Sequence, residues 1–287
     1  MLDLCAIGDL TWLVTLNLEA FPQRGGSAFL LDVHRGIGND AAIVAAIAAR
    51  GGLSTQLRTN PVDRVGAEPL VDFLTACGVD CHLLDRNAQR TPTTYCLRDP
   101  KGERTWLPMD GGFSAENILA LPVAASFAYI DLYIDALLER RKAMMRAADN
   151  GVRLFVNLSA EPTDLQIDAV RTQPGLKVLQ VAYDPLGPDP VGYGERLLAK
   201  TRARAVFVTL AQNGSVLITS DGIQRLFSSS VAVMRSTGAG AAFSAGALMG
   251  LVRKHGYEDA HALAVSTAAT FCSAKVDPLH VVGGDRT

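Results

Sequence analysis

The stretch RSTGAGAAFSAGALMGL, Arg235 to Leu251, gathers small residues where a helix would begin. Thr237 reads as the N-cap and Gly238, Ala239 and Gly240 as the first turn. Unsatisfied N–H groups and the positive end of the helix dipole then converge on one point. Small side chains let a phosphate or oxyanion reach that backbone, so the turn can serve as an anion cradle. Tight helix packing selects the same small residues, and spacing by itself does not separate the two readings. Between Arg235 and Leu251 there is no Asp, Glu, His, Cys or Lys, so nothing in the segment can move a proton.

Other residues offer different chemistry. Asp9 follows the apolar run LDLCAI, and strand C-termini are where α/β folds place ligands, so Asp9 is expected to touch a substrate. Asp40 precedes AAIVAAIAA, where an acid suits either a substrate or a helix dipole. Gly36 to Ala41, GIGNDA, fits the dinucleotide fingerprint G-x-G-x-x-A. The next strand, LSTQLRTN, has no acid for a ribose, whereas Arg58 would favour a 2′-phosphate, as in an NADP-dependent oxidoreductase. Cys77, Cys81 and His82 lack a metal-ligand pattern, the five histidines show no ligand spacing, and no metal site is expected. The run ERRKAMMR, Glu139 to Arg146, reads as a solvated helix face.

These residues need a scaffold. The chain has 287 residues, 48% hydrophobic and 20% charged, enough apolar material for a full core. With 29 acids against 27 lysines and arginines, it lacks the field of a nucleic-acid partner. No apolar run approaches a bilayer span, and the acid Asp3 in MLDLCAIGDLTW argues against a signal peptide. Five scattered cysteines suit reduced thiols, and a cytoplasmic protein is expected. Apolar runs (LDLCAIGD, LSTQLRT, CHLLD, FAYIDLYI, RLFVNLS, LKVLQVA, RAVFVTLA) alternate with helical patterns such as DALLERRKAMMRAADNG. The alternation predicts an α/β fold, a largely parallel sheet with helices on both faces. AFLLDVH and TPTTYCLRDPKGERTWLP, a hairpin turning at Asp99 to Gly102, break the rhythm and predict a separate small sheet.

The order of strand AVFVTLAQNG, hairpin around Asp221-Gly222, glycine turn and small-residue helix resembles the PfkB-type (ribokinase-like) carbohydrate and nucleoside kinases. Val208 to Gly214 resembles the family's V-T-L-G-x-x-G, and Thr237 to Gly240 most of its D-T-x-G-A-G-D-x-F. CAIGD, RGIGNDAAIVAAIAARGG, DRVGAEPLVDFLTACGVD and TPTTYCLRDPKGER extend the resemblance over most of the chain. It implies one domain over 1–287, a Rossmann-like three-layer α/β/α core with a β lid from about 11–33 and 91–108, and a homodimer joined through the lids. It implies ATP with Mg2+ as cofactors and a sugar or nucleoside as acceptor. Thr209, Ala211, Gly214, Thr237, Gly238 and Gly240 would border the nucleotide; Asp9, Gly36, Asp40 and Arg104 would contact the acceptor. Gly238, Ala239 and Gly240 would form the anion hole.

The chain departs from that pattern at decisive places. Ala241 occupies the position of the family's general base, so phosphoryl transfer is expected to be absent or nearly so. Arg235 stands where many members have an Asp linked to a monovalent-cation site. Ala211 replaces a Gly, Leu13 and Asp40 occupy sugar-binding positions, and LQVAYDPLGPDP lacks the family's Asn-x-x-Glu. The expected function is therefore an ATP-dependent sugar or nucleoside kinase disabled at position 241. The alternatives are a pseudokinase or ligand-binding protein on the same fold and, less favoured, the NADP enzyme.

Overall fold

Alternate residues of the apolar strands face two different cores. Leu4, Ala6, Phe127, Tyr129, Phe155, Phe207 and Leu217 join one buried cluster. Their neighbours Cys5, Ile7, Ala128, Ile130, Leu154, Val156, Val206, Val208, Val216 and Ile218 join the other. A strand buried on both faces reads as a continuous apolar run, which is why these segments are hydrophobic without alternation.

The computed structural model describes residues 2–109, 112–114, 118, 123–133, 136–228 and 233–281. The strands are β1 (Leu2–Ile7), β2 (Thr11–Leu18), β3 (Leu30–Gly38), β4 (Thr55–Arg58), β5 (Val79–Asp80), β6 (Thr93–Arg98), β7 (Arg104–Pro108), β8 (Ala125–Asp131), β9 (Arg153–Ala160), β10 (Lys177–Ala182), β11 (Ala205–Thr209), β12 (Ser215–Thr219) and β13 (Ile223–Leu226). The helices are α1 (Asp40–Arg50), α2 (Glu68–Ala76), α3 (Leu137–Asp149), α4 (Asp164–Arg171), α5 (Pro190–Thr201), α6 (Ala239–Val252) and α7 (Tyr257–Ser273).

Nine strands form the main sheet in the order β13-β12-β11-β10-β9-β8-β1-β4-β5, parallel from β11 to β5 and antiparallel at the β12–β13 edge. Helices α1, α6 and α7 contribute to the first core, and α3, α4 and α5 to the second. The expected α/β/α layering is thus present, with a small second sheet, β3-β2-β6-β7, as the lid. The turn between β6 and β7 closes where expected, with Gly102 N–H donating to the Asp99 carbonyl at 3.0 Å. No helix among the described residues is long and apolar enough to cross a membrane.

Three sequence expectations are corrected. CHLLD is not a strand: β5 ends at Asp80, and Cys81 to Leu84 form a turn closed by a 3.1 Å bond. The fingerprint GIGNDA does not open a Rossmann unit. Gly36 and Gly38 belong to β3, a strand of the small sheet, and Arg58 is buried with its Nε donating to Gln56 at 2.9 Å. ERRKAMMR is not a solvated face, because Arg140, Ala143, Met144 and Ala147 form the buried stripe of α3.

Candidate active site

The parallel register lines up three polar residues at the C-terminal ends of adjacent strands. Asp131 on β8 pairs with Asn157 on β9, and Asn157 with Gln180 on β10. Residues in register point to the same face, and this face lies beneath the N-termini of α1 and α6. Ala41 N–H of α1 donates to Asp131 at 3.3 Å, and Gln180 Nε2 donates to the Gly240 carbonyl of α6 at 3.1 Å.

One end of the row is crowded with charge. Arg140 projects from α3 with no exposed side-chain surface and donates to Asp9 at 2.6 Å, to the Asp131 carbonyl at 2.7 Å and to the Asp131 carboxylate. Its guanidinium carbon lies 4.8 Å from the Phe113 ring centroid and 5.5 Å from that of Tyr133, within cation–π range. Burial pulls the Arg140 pKa down, while Asp9 pulls the other way. Asp40, the first residue of α1, accepts from Tyr133 Oη at 2.7 Å and Asn157 Nδ2 at 2.9 Å. Burial raises its pKa despite those donors and the Arg140 charge. Three carboxylates therefore share one guanidinium, and Asp9 is mostly engaged by it rather than facing outward.

At the other end lies the cradle, which is neutral. Gly238, at φ 85°, is the helix N-cap in place of the expected Thr237, since only glycine adopts this left-handed conformation readily. A Cβ there would also meet Phe271 at 2.9 Å and Leu279 at 3.1 Å. The first i→i−4 bond of α6 runs from Ala242 N–H to the Gly238 carbonyl, 2.9 Å. Contrary to the expected anion hole, the Ala239 N–H is taken up by the Ser236 carbonyl at 3.2 Å; the N–H groups of Gly240 and Ala241 precede the first helical bond and have no acceptor within the helix. Around Gly240 the nearest atom to an added Cβ is Gln180 Nε2, at 3.6 Å, so the turn is open on that side. Later in α6 the small residues serve packing: a Cβ on Gly246 or Gly250 would fall 2.7 or 2.6 Å from the α7 backbone at Ala264 or Ala260. The two readings of the small residues thus divide by position along the helix.

A chain of donors joins the two ends. Asn157 donates to the Tyr129 hydroxyl at 3.4 Å, Tyr129 is bonded to Ser244, Ser244 donates to Gln180, and Gln180 donates to Gly240. Burial and the Asp40 charge hold the Tyr129 and Tyr133 hydroxyls well above the usual phenol pKa, so both remain donors. Ala241 is fully buried beside this neutral chain, in the main core cluster.

The remaining sequence candidates fall around these ends. Thr209 ends β11 in register with Ala182, and Ala211 and Gly214, at φ 47° and 86°, shape the following turn. Arg104, on the exposed lid strand β7, donates to Thr237 Oγ1 at 3.3 Å, so the lid meets the cradle there rather than Asp9 or Asp40. Gly36 is explained by packing: it bridges to His280, and a Cβ would lie 2.4 Å from the Leu279 carbonyl. Asp131, Asn157, Gln180 and Ser244 were not legible as site residues. Arg140 alone left a signal, the i, i+3, i+4, i+7 spacing of its buried stripe.

The first turn is open at Gly240, whereas Ala241 is fully buried. Among the described residues no three His, Cys, Asp or Glu side chains could hold a metal, and Asp184 in LQVAYDPLGPDP is exposed and caps the Leu186 N–H at 2.9 Å.

A doubly wound α/β/α core, a small β lid and a helix N-terminus open at Gly240 beside the strand C-termini define the scaffold. Residues 191–276, from α5 to just past α7, match the family model of the pfkB family carbohydrate kinases. That segment is thus similar to the pfkB family, and the fold throughout is that of the ribokinase-family structures on which the chain superposes. It superposes on the Methanocaldococcus jannaschii nucleoside kinase, a ribokinase-family member, with a TM-score of 0.78 at 17% identity, covering 98% of this chain and 95% of that one. The Burkholderia thailandensis nucleoside kinase in complex with inosine gives 0.75 at 14%, covering 97% and 94%. Arabidopsis thaliana ribokinase complexed with ribose and ATP gives 0.73 at 16%, covering 96% and 94%. No curated protein matches the chain.

Proposed function

We propose that the protein binds ATP at the N-terminus of α6 and phosphorylates a hydroxymethyl group of a sugar or nucleoside, slowly, because position 241 lacks a base. The observation that carries this is the open first turn of α6 facing the polar row at the strand ends. The Gly240 and Ala241 N–H groups stabilise charge growing on the transferred phosphoryl oxygens. ATP supplies that group, and the protein positions it. Arg104 brings the lid onto the cradle edge through Thr237 and excludes water from the transfer. Asp40, held by Tyr133 and Asn157, contacts the acceptor, while Asp9 is bound to Arg140 and shapes the pocket floor. The kinase-fold structures bound to inosine and to ribose with ATP support this class of acceptor.

The same geometry supports a second reading, a ligand-binding protein that never turns over. The residues beneath the cradle, Gln180, Ser244, Tyr129 and Asn157, are all neutral donors or acceptors, and none takes a proton at pH 7. Ala241→Asp separates the two. A carboxylate there lies in the first turn of α6, where the dipole favours its ionised, proton-accepting form. Phosphoryl transfer to a panel of sugars and nucleosides should rise by about two to four powers of ten. If Ala241→Asp still binds ADP and gains no transfer on any acceptor, the ligand-binding reading replaces the kinase.

The homodimer belongs to the same proposal. Phe29, Leu30, Leu31, Val33, Trp106 and Leu107 expose apolar surface on and beside the lid strands, and a patch of this kind suits a second copy of the lid. Sedimentation as a monomer at micromolar concentration would remove this part alone.

A further inference from the structure

Arg235 precedes the cradle by three residues, yet its side chain turns away toward the end of α7. Nη1 donates to the Ala274 carbonyl at 2.5 Å and to the Val276 carbonyl at 3.3 Å, and Nε lies 3.6 Å from the Asp277 carboxylate. The side chain is only 15% exposed. Its backbone is docked there too: the Met234 and Arg235 N–H groups both donate to the Cys272 carbonyl, at 2.9 and 3.3 Å. The Cys272 carbonyl lies in the last turn of α7, where the helix C-terminus adds negative potential beside the guanidinium.

Two carbonyl oxygens and a carboxylate from residues 274–277 are the hard oxygen donors that a monovalent metal ion takes in exchange for its water. Here they converge on a guanidinium. A monovalent ion at this point would compete for the same lone pairs and face a fixed positive charge at contact distance. The residues present therefore do not fit the monovalent-cation site that the family resemblance implies.

We infer that Arg235 is a resident cation that replaces a monovalent metal ion and pins the cradle to the segment following α7. That segment is itself tied to the rest of the site. Pro278 accepts from Arg50 at 3.2 Å, Leu279 packs beneath Gly238, and its carbonyl accepts from Ile37 of β3 at 3.1 Å. Arg235 thus holds a segment that touches both the cradle and the base of the lid. The consequence is ion independence, and it concerns binding rather than phosphoryl transfer, so it stands or falls apart from the proposed reaction.

The test is thermal unfolding without nucleotide, in choline, sodium and potassium chloride at equal ionic strength. The unmodified protein should melt at the same temperature in all three. Arg235→Asp, which leaves two carboxylates and two carbonyls without their cation, should melt roughly 3–10 °C lower in choline chloride and recover saturably with potassium. Arg235→Lys keeps a cation in place and should remain indifferent to potassium. A saturable rise in the unmodified protein, indifference of Arg235→Asp or a potassium response of Arg235→Lys would each overturn the inference. If Arg235→Asp folds in none of the salts, Arg235→Ser takes its place, with the same potassium rescue required.

Discussion

The two ends of the site solve the same problem of burial by opposite means. Around Arg140, charge is concentrated: Asp9, Asp131 and Asp40 lie around one guanidinium, and burial shifts both Asp40 and Arg140 toward neutrality. Around Gly240, among the described residues, the contacts are backbone groups and the amide of Gln180, with the Arg104 guanidinium reaching only the Thr237 edge. Buried charges hold their positions through mutual attraction and tolerate little change, whereas an open, neutral helix end is receptive to an incoming anion. The charged end is therefore read as built structure that shapes an acceptor pocket, and the neutral end as the place where ligand charge belongs.

The comparison breaks most severely at Arg140. Arg140→Met removes the guanidinium and leaves Asp9 and Asp131 without it, which should cost about 3–5 kcal/mol in urea unfolding. Adding Asp131→Asn to the same chain should recover part of that loss. If Arg140→Met unfolds at the original midpoint, the charged end is not structural.

A smaller effect is expected at the neutral end. Gly240→Asp meets nothing closer than 3.6 Å at Cβ, and an acid is favourable in a first helical turn, so folding should be nearly unchanged. Its charge occupies the place of phosphate, and ADP binding measured by calorimetry should weaken about 100-fold. Undiminished binding would reduce the turn to a packing device.

The smallest effect sharpens the contrast by pH. His261 on α7 lies between Ser215 Oγ and Gln224 Oε1, at 2.7 Å each, and burial lowers its pKa from 6.5 to about 4. The folded value lies below the unfolded one, so the native state keeps this ring neutral. Its contribution is complete above pH 6.5 and is lost as pH falls toward about 4. The unmodified protein should lose stability over that window more steeply than His261→Gln. Parallel profiles would show that the ring is not the titrating group.

Much of the fold was legible because its signals are local. FAYIDLYI, LKVLQVA and RAVFVTLA are too apolar and too short for anything but doubly buried strands, and they became β8, β10 and β11. The start of α6 was legible for the same reason, as a run of small residues with a breaker at its start. The misreadings involve residues whose meaning is set by distant partners. GIGNDA has the spacing of a dinucleotide turn, but Gly36 and Gly38 were drawn into β3 by pairing with β2. ERRKAMMR has the composition of a solvated face, but Arg140 had two carboxylates waiting beneath it.

By itself, the sequence determined the alternation of strands and helices, the small-residue start of the helix after Thr237, and the absence of any titratable side chain between Ser236 and Leu251. Each depends on residue type and near-neighbour spacing, which fix backbone propensity, apolar periodicity and the presence or absence of a titratable group. Only the tertiary structure decided that Asp131, Asn157 and Gln180 stand in one row, that Arg140 is the buried partner of Asp9, and that Arg235 caps the carbonyls after α7. Those pairings join residues from 23 to 131 positions apart. They follow from strand register and helix docking, and a polar side chain carries no local mark of the partner that register will bring to it.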